Sequence, residues 1–188
     1  MSSPTEAILI CTRNRPSELR ETLKSVPPKR TKCYLLVVDA SDPAPLSKNR
    51  DTVRRIGTDS WSHIAFEDSP SLARQRNYGI EHLPPSVKIV HFIDDDVTIQ
   101  PGYFDHLSSV LRQHSDVGGV GGAIETPESS SHTDTPLKRL FLLAHAEQGH
   151  VLPSGYAISI QYPPSDENYR LRETEWLSGC ASSYRRAL

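Results

Sequence analysis

The chain has 188 residues, with 21 Lys and Arg against 23 Asp and Glu and so a formal net charge of -2. That length predicts a single domain that buries about 70% of its unfolded surface and needs no disulfide or metal staple, and the near balance of charge argues against a broadly nucleic-acid-binding surface. At 23% charged and 36% hydrophobic residues with 15 prolines, it is a globular, loop-rich protein and not a disordered one.

In chain order, Ala7 to Cys11 is a short, unbroken apolar run, the pattern of a strand buried on both faces of a parallel sheet. It is too short for the core of a signal peptide, follows Glu6 and is followed by Arg13 and Arg15, so a cytoplasmic location is expected. No apolar run approaches the roughly 20 residues of a membrane span. Thr12 to Arg15 break the strand. Pro16 suits the first turn of a helix whose Leu19, Leu23 and Val26 form one apolar stripe, stopped by Pro27 and Pro28. Tyr34 to Val38 is a second buried strand, ending in a turn from Asp39 to Pro43. His63 to Phe66 read as a third, short strand. Ser69-Pro70-Ser71 opens a helix that carries Leu72 to Ile80 and closes at Pro84-Pro85. Val87 to Ile93 form another buried strand, which runs straight into Asp94-Asp95-Asp96, and Pro101 starts a helix with Phe104, Leu107, Val110 and Leu111 on one face. Val117 to Ile124, with interleaved glycines, fit either a closely approached strand or a loop. Glu125 to Thr135 has the composition of a flexible connection, Pro136 to Ala146 looks helical, and Gly149 to Thr174 is irregular.

Strands alternating with helices predict an α/β protein with a mainly parallel central sheet flanked by helices, whose ligands bind outside the carboxyl ends of the strands. Three strand ends carry polar clusters, Thr12 to Arg15, Asp39 to Asp42 and Asp94 to Asp96, and in such a sheet they converge on one crevice. Three adjacent carboxylates repel one another unless a cation is present. In an extended segment Asp94 and Asp96 project to one side, one toward a ligand and one toward a Mg2+ or Mn2+ ion bridging phosphates, while Asp95 points elsewhere. Arg74 and Arg76 lie on the helix behind the same edge, where a guanidinium can hold phosphate oxygens in a fork. Asp39 can accept hydrogen bonds from a base or ribose, or simply form its turn. The glycines at 118–122 lack the Lys-Ser/Thr of a P-loop. The eight histidines show no paired ligand spacing, and Cys11, Cys33 and Cys180, without a CxxC pair, read as mostly buried thiols outside any disulfide.

Taken together, Ile10-Cys11-Thr12-Arg13-Asn14-Arg15-Pro16, Val38-Asp39-Ala40-Ser41-Asp42, Ala73-Arg74-Gln75-Arg76-Asn77-Tyr78-Gly79-Ile80, Phe92-Ile93-Asp94-Asp95-Asp96 with Pro101-Gly102, and the terminal Trp176-Leu177-Ser178-Gly179 with Tyr184-Arg185-Arg186 resemble the family 2 glycosyltransferases of GT-A fold, colinearly over residues 7–186. The resemblance implies a Rossmann-like nucleotide-diphospho-sugar transferase fold, one domain over 1–188, with a nucleotide-sugar-binding half at 1–124 and the start of an acceptor-side half at 125–188. It implies that Thr12, Arg13 and Asn14 line the nucleotide pocket and Asp39 binds the base. Arg74 contacts base or pyrophosphate, Asp94 holds the ribose with Asp95 among the donor-binding residues, and Asp96 takes the divalent metal, Mg2+ or Mn2+. Trp176, Gly179, Tyr184 and Arg185 fall on the acceptor side, where Ala181 stands in place of an Asn that relatives often carry. The implied chemistry is inverting transfer of a sugar from a nucleotide diphosphate sugar to a saccharide or lipid-linked acceptor, as in polysaccharide biosynthesis, by a protein without a transmembrane segment that can associate peripherally with a membrane. The family's general base, typically in a Glu-Asp segment, is expected beyond Leu188, which makes the acceptor-side half incomplete. Two other readings compete: a nucleotide-sugar-binding domain without turnover, and a haloacid-dehalogenase-like phosphatase with Asp94 as nucleophile and Asp96 as acid/base. Against the phosphatase, about half the chain precedes Asp94 and no GDxxxD-like pair follows.

Overall fold

The computed structural model describes residues 3–27, 32–122, 149–151, 153, 155, 157 and 171–186. By contacts the chain falls into two units, Met1–Gly121 with Gly179–Leu188, and Gly122–Ser178. The first unit runs β1 (Glu6–Thr12), α1 (Pro16–Ser25), β2 (Cys33–Asp39), α2 (Pro43–Ile56), β3 (Trp61–Ala65), α3 (Leu72–Glu81), β4 (Ile89–Asp94), α4 (Tyr103–Gln113), β5 (Gly119–Gly121) and β6 (Ala181–Arg185).

The six strands form one sheet in the order β3-β2-β1-β4-β6-β5. β1 to β4 are parallel, and β6 runs antiparallel between β4 and β5. The apolar runs of β1 and β2 are unbroken because both faces of the sheet are covered. Ile8, Ile10, Leu35, Val37 and Ile93 pack toward Leu19 and Leu23 of α1, Val53 of α2 and Phe104 of α4. Ala7, Leu9, Leu36, Val38 and Val90 pack on the other face with Tyr78 and Ile80 of α3. Successive side chains of a strand point to opposite faces, so an all-apolar strand demands a layer on each side.

Two elements had no expectation. α2 buries only Asn49 and Val53, too thin an apolar stripe to read among its charged residues. β6 carries Ser182 and Ser183, both buried, where an apolar pattern would have marked a strand; Ser183 Oγ lies 2.7 Å from Nδ1 of the buried His91. The glycine-rich stretch resolves into β5 on the sheet's edge. The expected connection at 125–135 and helix at 136–146 lie outside the described residues. Of the cysteines, Cys33 is buried and Cys11 and Cys180 are half-buried, and none is in a disulfide. In the second unit, Val151 and Ala157 form an antiparallel bridge, and Thr174 Oγ1 and the Glu175 N–H both donate to the Gly149 carbonyl, at 2.8 and 2.9 Å.

Candidate active site

The strand order places a reversal between β1 and β4. The chain builds outward from β1 through β2 to β3, and α3 then carries it back to lay β4 on the other side of β1. The helices on either side of such a switch point leave a crevice at the carboxyl ends of the strands, where ligands of open α/β sheets bind. Here a crevice of about 250 Å³ is lined by Thr12 and Arg13 from the end of β1, by Asp94 to Asp96 from the end of β4, and by Leu72 and Gln75 of α3. That volume is below the usual lower end of ligand pockets, about 300 Å³, and has room for part of a nucleotide sugar.

The three carboxylates differ. Asp95 is 6% exposed and accepts a 2.6 Å hydrogen bond from Thr12 Oγ1, while its own carbonyl accepts one from Thr22 Oγ1 at 2.8 Å. Burial pushes its pKa up, against the hydrogen bond from Thr12 and the nearby charge of Arg15. Asp94 is raised by burial too, opposed chiefly by Arg76, whose Nη2 lies 3.3 Å away. Asp96 is half-exposed, its Oδ2 2.8 Å from Arg15 Nη1, and the same nitrogen is 3.3 Å from Asp95 Oδ1. All three therefore line the crevice, including the Asp95 that strand alternation alone turns away.

Arg76 is the better placed of the two α3 arginines. It donates to the Gly179 carbonyl at 2.5 Å and sits over the Phe92 ring at 5.4 Å from its centroid. Arg74, the residue singled out from sequence, pairs with Asp68 on the exposed surface. The two side chains lie about 200° apart around a helix, so one faces the sheet and the other cannot. The signal was present in the spacing of Gln75 and Gly79, the buried residues of α3. Gln75 also gained no role from sequence, yet its Nε2 lies 3.2 Å from both the Thr12 and Val38 carbonyls, tying the carboxyl ends of β1 and β2. Cys11, also in the crevice lining, has its thiol pushed up to about 12 by burial, which keeps it protonated and unreactive.

Asp39 lies at the end of β2 but is only 1% exposed, with its oxygens already engaged. Oδ1 accepts from the Ser41 N–H at 2.9 Å, and Oδ2 meets Asn49 Nδ2 at 2.8 Å and His63 Nε2 at 2.9 Å. Burial raises its pKa, but the bonds from His63, Ser41 and Asn49 together lower it on balance. Asn14, in the left-handed region at φ 57°, donates its N–H to Ser41 Oγ at 2.7 Å and exchanges two hydrogen bonds with Asp42.

Of the residues expected on the acceptor side, Gly179 is next to Arg76 at the crevice end of β6, and Trp176 belongs to the second unit. Tyr184 pairs with Val90 and packs edge-on against Phe92. Arg185 pairs with Ile89, at the far end of β4 from Asp94, and donates to the carbonyls of Leu111, His114 and Val117 around the end of α4. There the guanidinium closes a helix C-terminus, about 17 Å along the strand from Asp94.

Residues 7–188 match the model of glycosyl transferase family 2. The chain belongs to that family. Its α/β architecture, with a mostly parallel sheet and helices on both faces, is the GT-A fold that the resemblance implied, and the phosphatase reading falls away with it. Similar solved structures include a mannosyltransferase, PcManGT from Pyrobaculum calidifontis, in complex with GDP-Man and Mn2+ (19% identity, 69% of this chain, 38% of that chain, TM-score 0.55). They also include S. aureus TarS 1-349 (17%, 66% of this chain, 39% of that chain, TM-score 0.52) and 4-diphosphocytidyl-2C-methyl-D-erythritol synthase from Anaerococcus prevotii (12%, 98% of this chain, 71% of that chain, TM-score 0.54). At these identities the likeness is one of fold. The family 2 chain spans less than two fifths of the length of the first two. Among curated proteins no match is found.

The donor set fits a hard divalent cation. Among the described residues no three His, Cys, Asp or Glu side chains converge as a closed metal cluster. A half-exposed Asp96 beside Asp95, already balanced by a guanidinium cation, matches an ion that takes one or two protein carboxylates and completes its shell with phosphate oxygens and water.

Proposed function

We propose that this family 2 chain binds a nucleoside-diphosphate sugar in the crevice at the ends of β1 and β4 and serves in its inverting, metal-assisted transfer to the hydroxyl of a saccharide or lipid-linked acceptor. The observation that supports this best is the meeting of Thr12, Asp94 to Asp96 and two arginines at the switch point of the sheet. Asp94, steadied by Arg76, presents its remaining lone pairs to ribose hydroxyls. Thr12 keeps Asp95 turned inward, and Asp96 would hold the Mg2+ or Mn2+ ion. When bound, that ion supplies neutralisation of the charge gathering on the departing diphosphate. Arg13, on the rim, adds positive charge near the same phosphates. The first unit carries the donor site in this reading, and residues 125–178, with Trp176, belong to the acceptor side. No helix among the described residues is long and apolar enough to cross a membrane, and a cytoplasmic location is part of the proposal.

Calorimetry of the chain with UDP, GDP and dTDP, each with and without Mn2+, tests the reading. The expected result is metal-dependent binding of one nucleotide that Asp96→Ala abolishes. Binding of none of them, or tight binding indifferent to metal, overturns it.

A further inference from the structure

The inner edge of the crevice is charge-balanced by the chain itself. One nitrogen of Arg15 lies between two neighbouring carboxylates, 2.8 Å from Asp96 Oδ2 and 3.3 Å from Asp95 Oδ1. The Arg15 side chain is 52% exposed, so little packing holds it there. The backbone before it does the aiming: Asn14 is clamped to Ser41 and Asp42, and Ser41 is anchored on the buried Asp39. Arg76, the other arginine on the acid cluster, is 23% exposed, stacked on Phe92 and tied to the Gly179 carbonyl. Of the two, only Arg15 has room to change partners.

We propose that Arg15 is a resident counter-ion of the donor site: it neutralises Asp95 and Asp96 before a divalent ion arrives and then moves to the donor's diphosphate. This rests on the donor and metal reading above. An ion about 2.1 Å from an Asp96 oxygen and a guanidinium nitrogen 2.8 Å from Oδ2 of the same carboxylate repel each other, so the ion's arrival favours the guanidinium's departure. A diphosphate offers the displaced guanidinium a bidentate anionic partner on the other side of the ion. Arg15 thus weakens capture of the metal alone and favours its arrival together with the nucleotide, a coupling between two ligands of one site.

The test is calorimetry of the full chain with Mn2+ alone and with Mn2+ plus UDP, GDP or dTDP, for the wild type, Arg15→Gln and Arg15→Lys. Arg15→Gln is expected to bind Mn2+ alone about threefold to fivefold more tightly, the scale of one exposed ion pair, and the metal-nucleotide pair more weakly by at least that factor. Arg15→Lys, which keeps the charge, is expected to hold the wild-type affinity for Mn2+ alone. Unchanged or weaker Mn2+ affinity in Arg15→Gln overturns the counter-ion role, and tighter Mn2+ with undiminished metal-nucleotide binding overturns the exchange. If no nucleotide binds the wild type, the donor reading fails and the exchange with it, while a gain in Mn2+ affinity in Arg15→Gln still upholds the counter-ion role.

Discussion

Asp39 and the Asp94 to Asp96 run show how the same side chain acquires opposite properties from its surroundings. The Asp39 carboxyl is held below its ordinary value of 3.8, because three hydrogen-bond donors outweigh the burial that would raise it. A carboxyl lowered in the folded state contributes stability that is fully present above its unfolded value and is lost as the pH falls through the lower folded one. Asp94 and Asp95, raised mainly by burial, contribute the other way: their stabilisation is present below the ordinary value and is lost as the pH rises through their folded ones. Asp39→Asn is therefore expected to cost about 1–3 kcal/mol near neutral pH, since the new amide sets a donor against Ser41 N–H or Asn49. Its penalty should shrink as the pH drops below about 4, which urea unfolding at several pH values measures. A pH-independent penalty would mean that the site holds Asp39 for its shape alone.

At the scale of elements, α3 matters most to the crevice, because it supplies Gln75 to the ends of β1 and β2 and Arg76 to Asp94. Its distance from the sheet is set at Gly79. A methyl group there would lie 2.4 Å from Leu9 Cδ1 and 3.0 Å from Val38 Cγ2, and Leu9 is buried with nowhere to retreat. Gly79→Ala is expected to lift the helix and cost about 1–3 kcal/mol in thermal or urea unfolding, although alanine is the better helix former. The same shift should weaken nucleotide binding, since Gln75 and Arg76 ride on the displaced helix. Wild-type stability in the variant would show that the packing yields more easily than the distances indicate.

For the whole molecule, the return of residues 181–185 into the sheet is the structural event that closes the fold. β6 has a partner on each side, β4 and β5, and its Ser183 meets the buried His91. Arg185 and Arg186 extend from its end to backbone carbonyls near α4 and at the end of α3. Ser183→Pro removes a ladder donor in the middle of this strand and is expected to cost about 3 kcal/mol or more. Against a typical total of about 5–15 kcal/mol, that should appear as a marked fall in melting temperature and as faster proteolysis of the β4-β6-β5 side. An unaltered melting curve would show that β6 contributes little to the sheet.

The local elements were legible where burial on two faces forces an unmistakable pattern, as in Ala7 to Cys11 and Tyr34 to Val38, and where proline marks a helix start, as at Pro16 and Pro101. The polar ends of β1, β2 and β4 were legible for the same reason, since Thr12, Asp39 and Asp94 interrupt those runs. α2 and β6 were not, because their contacts are made largely by buried polar groups such as Asn49 and Ser183, which carry no periodic signal. By itself, then, the sequence determined the four parallel strands, three of the four helices among the described residues, the family and the three polar clusters. Only the tertiary structure decided that Asp39 is buried among its own partners, that Arg76 and not Arg74 reaches Asp94, that Arg15 bridges Asp95 and Asp96, and that Arg185 lies far from the crevice. Those pairings depend on helix rotation and strand register across tens of residues, and hydrophobic periodicity, which reports only whether a residue is buried, does not specify the partner it meets.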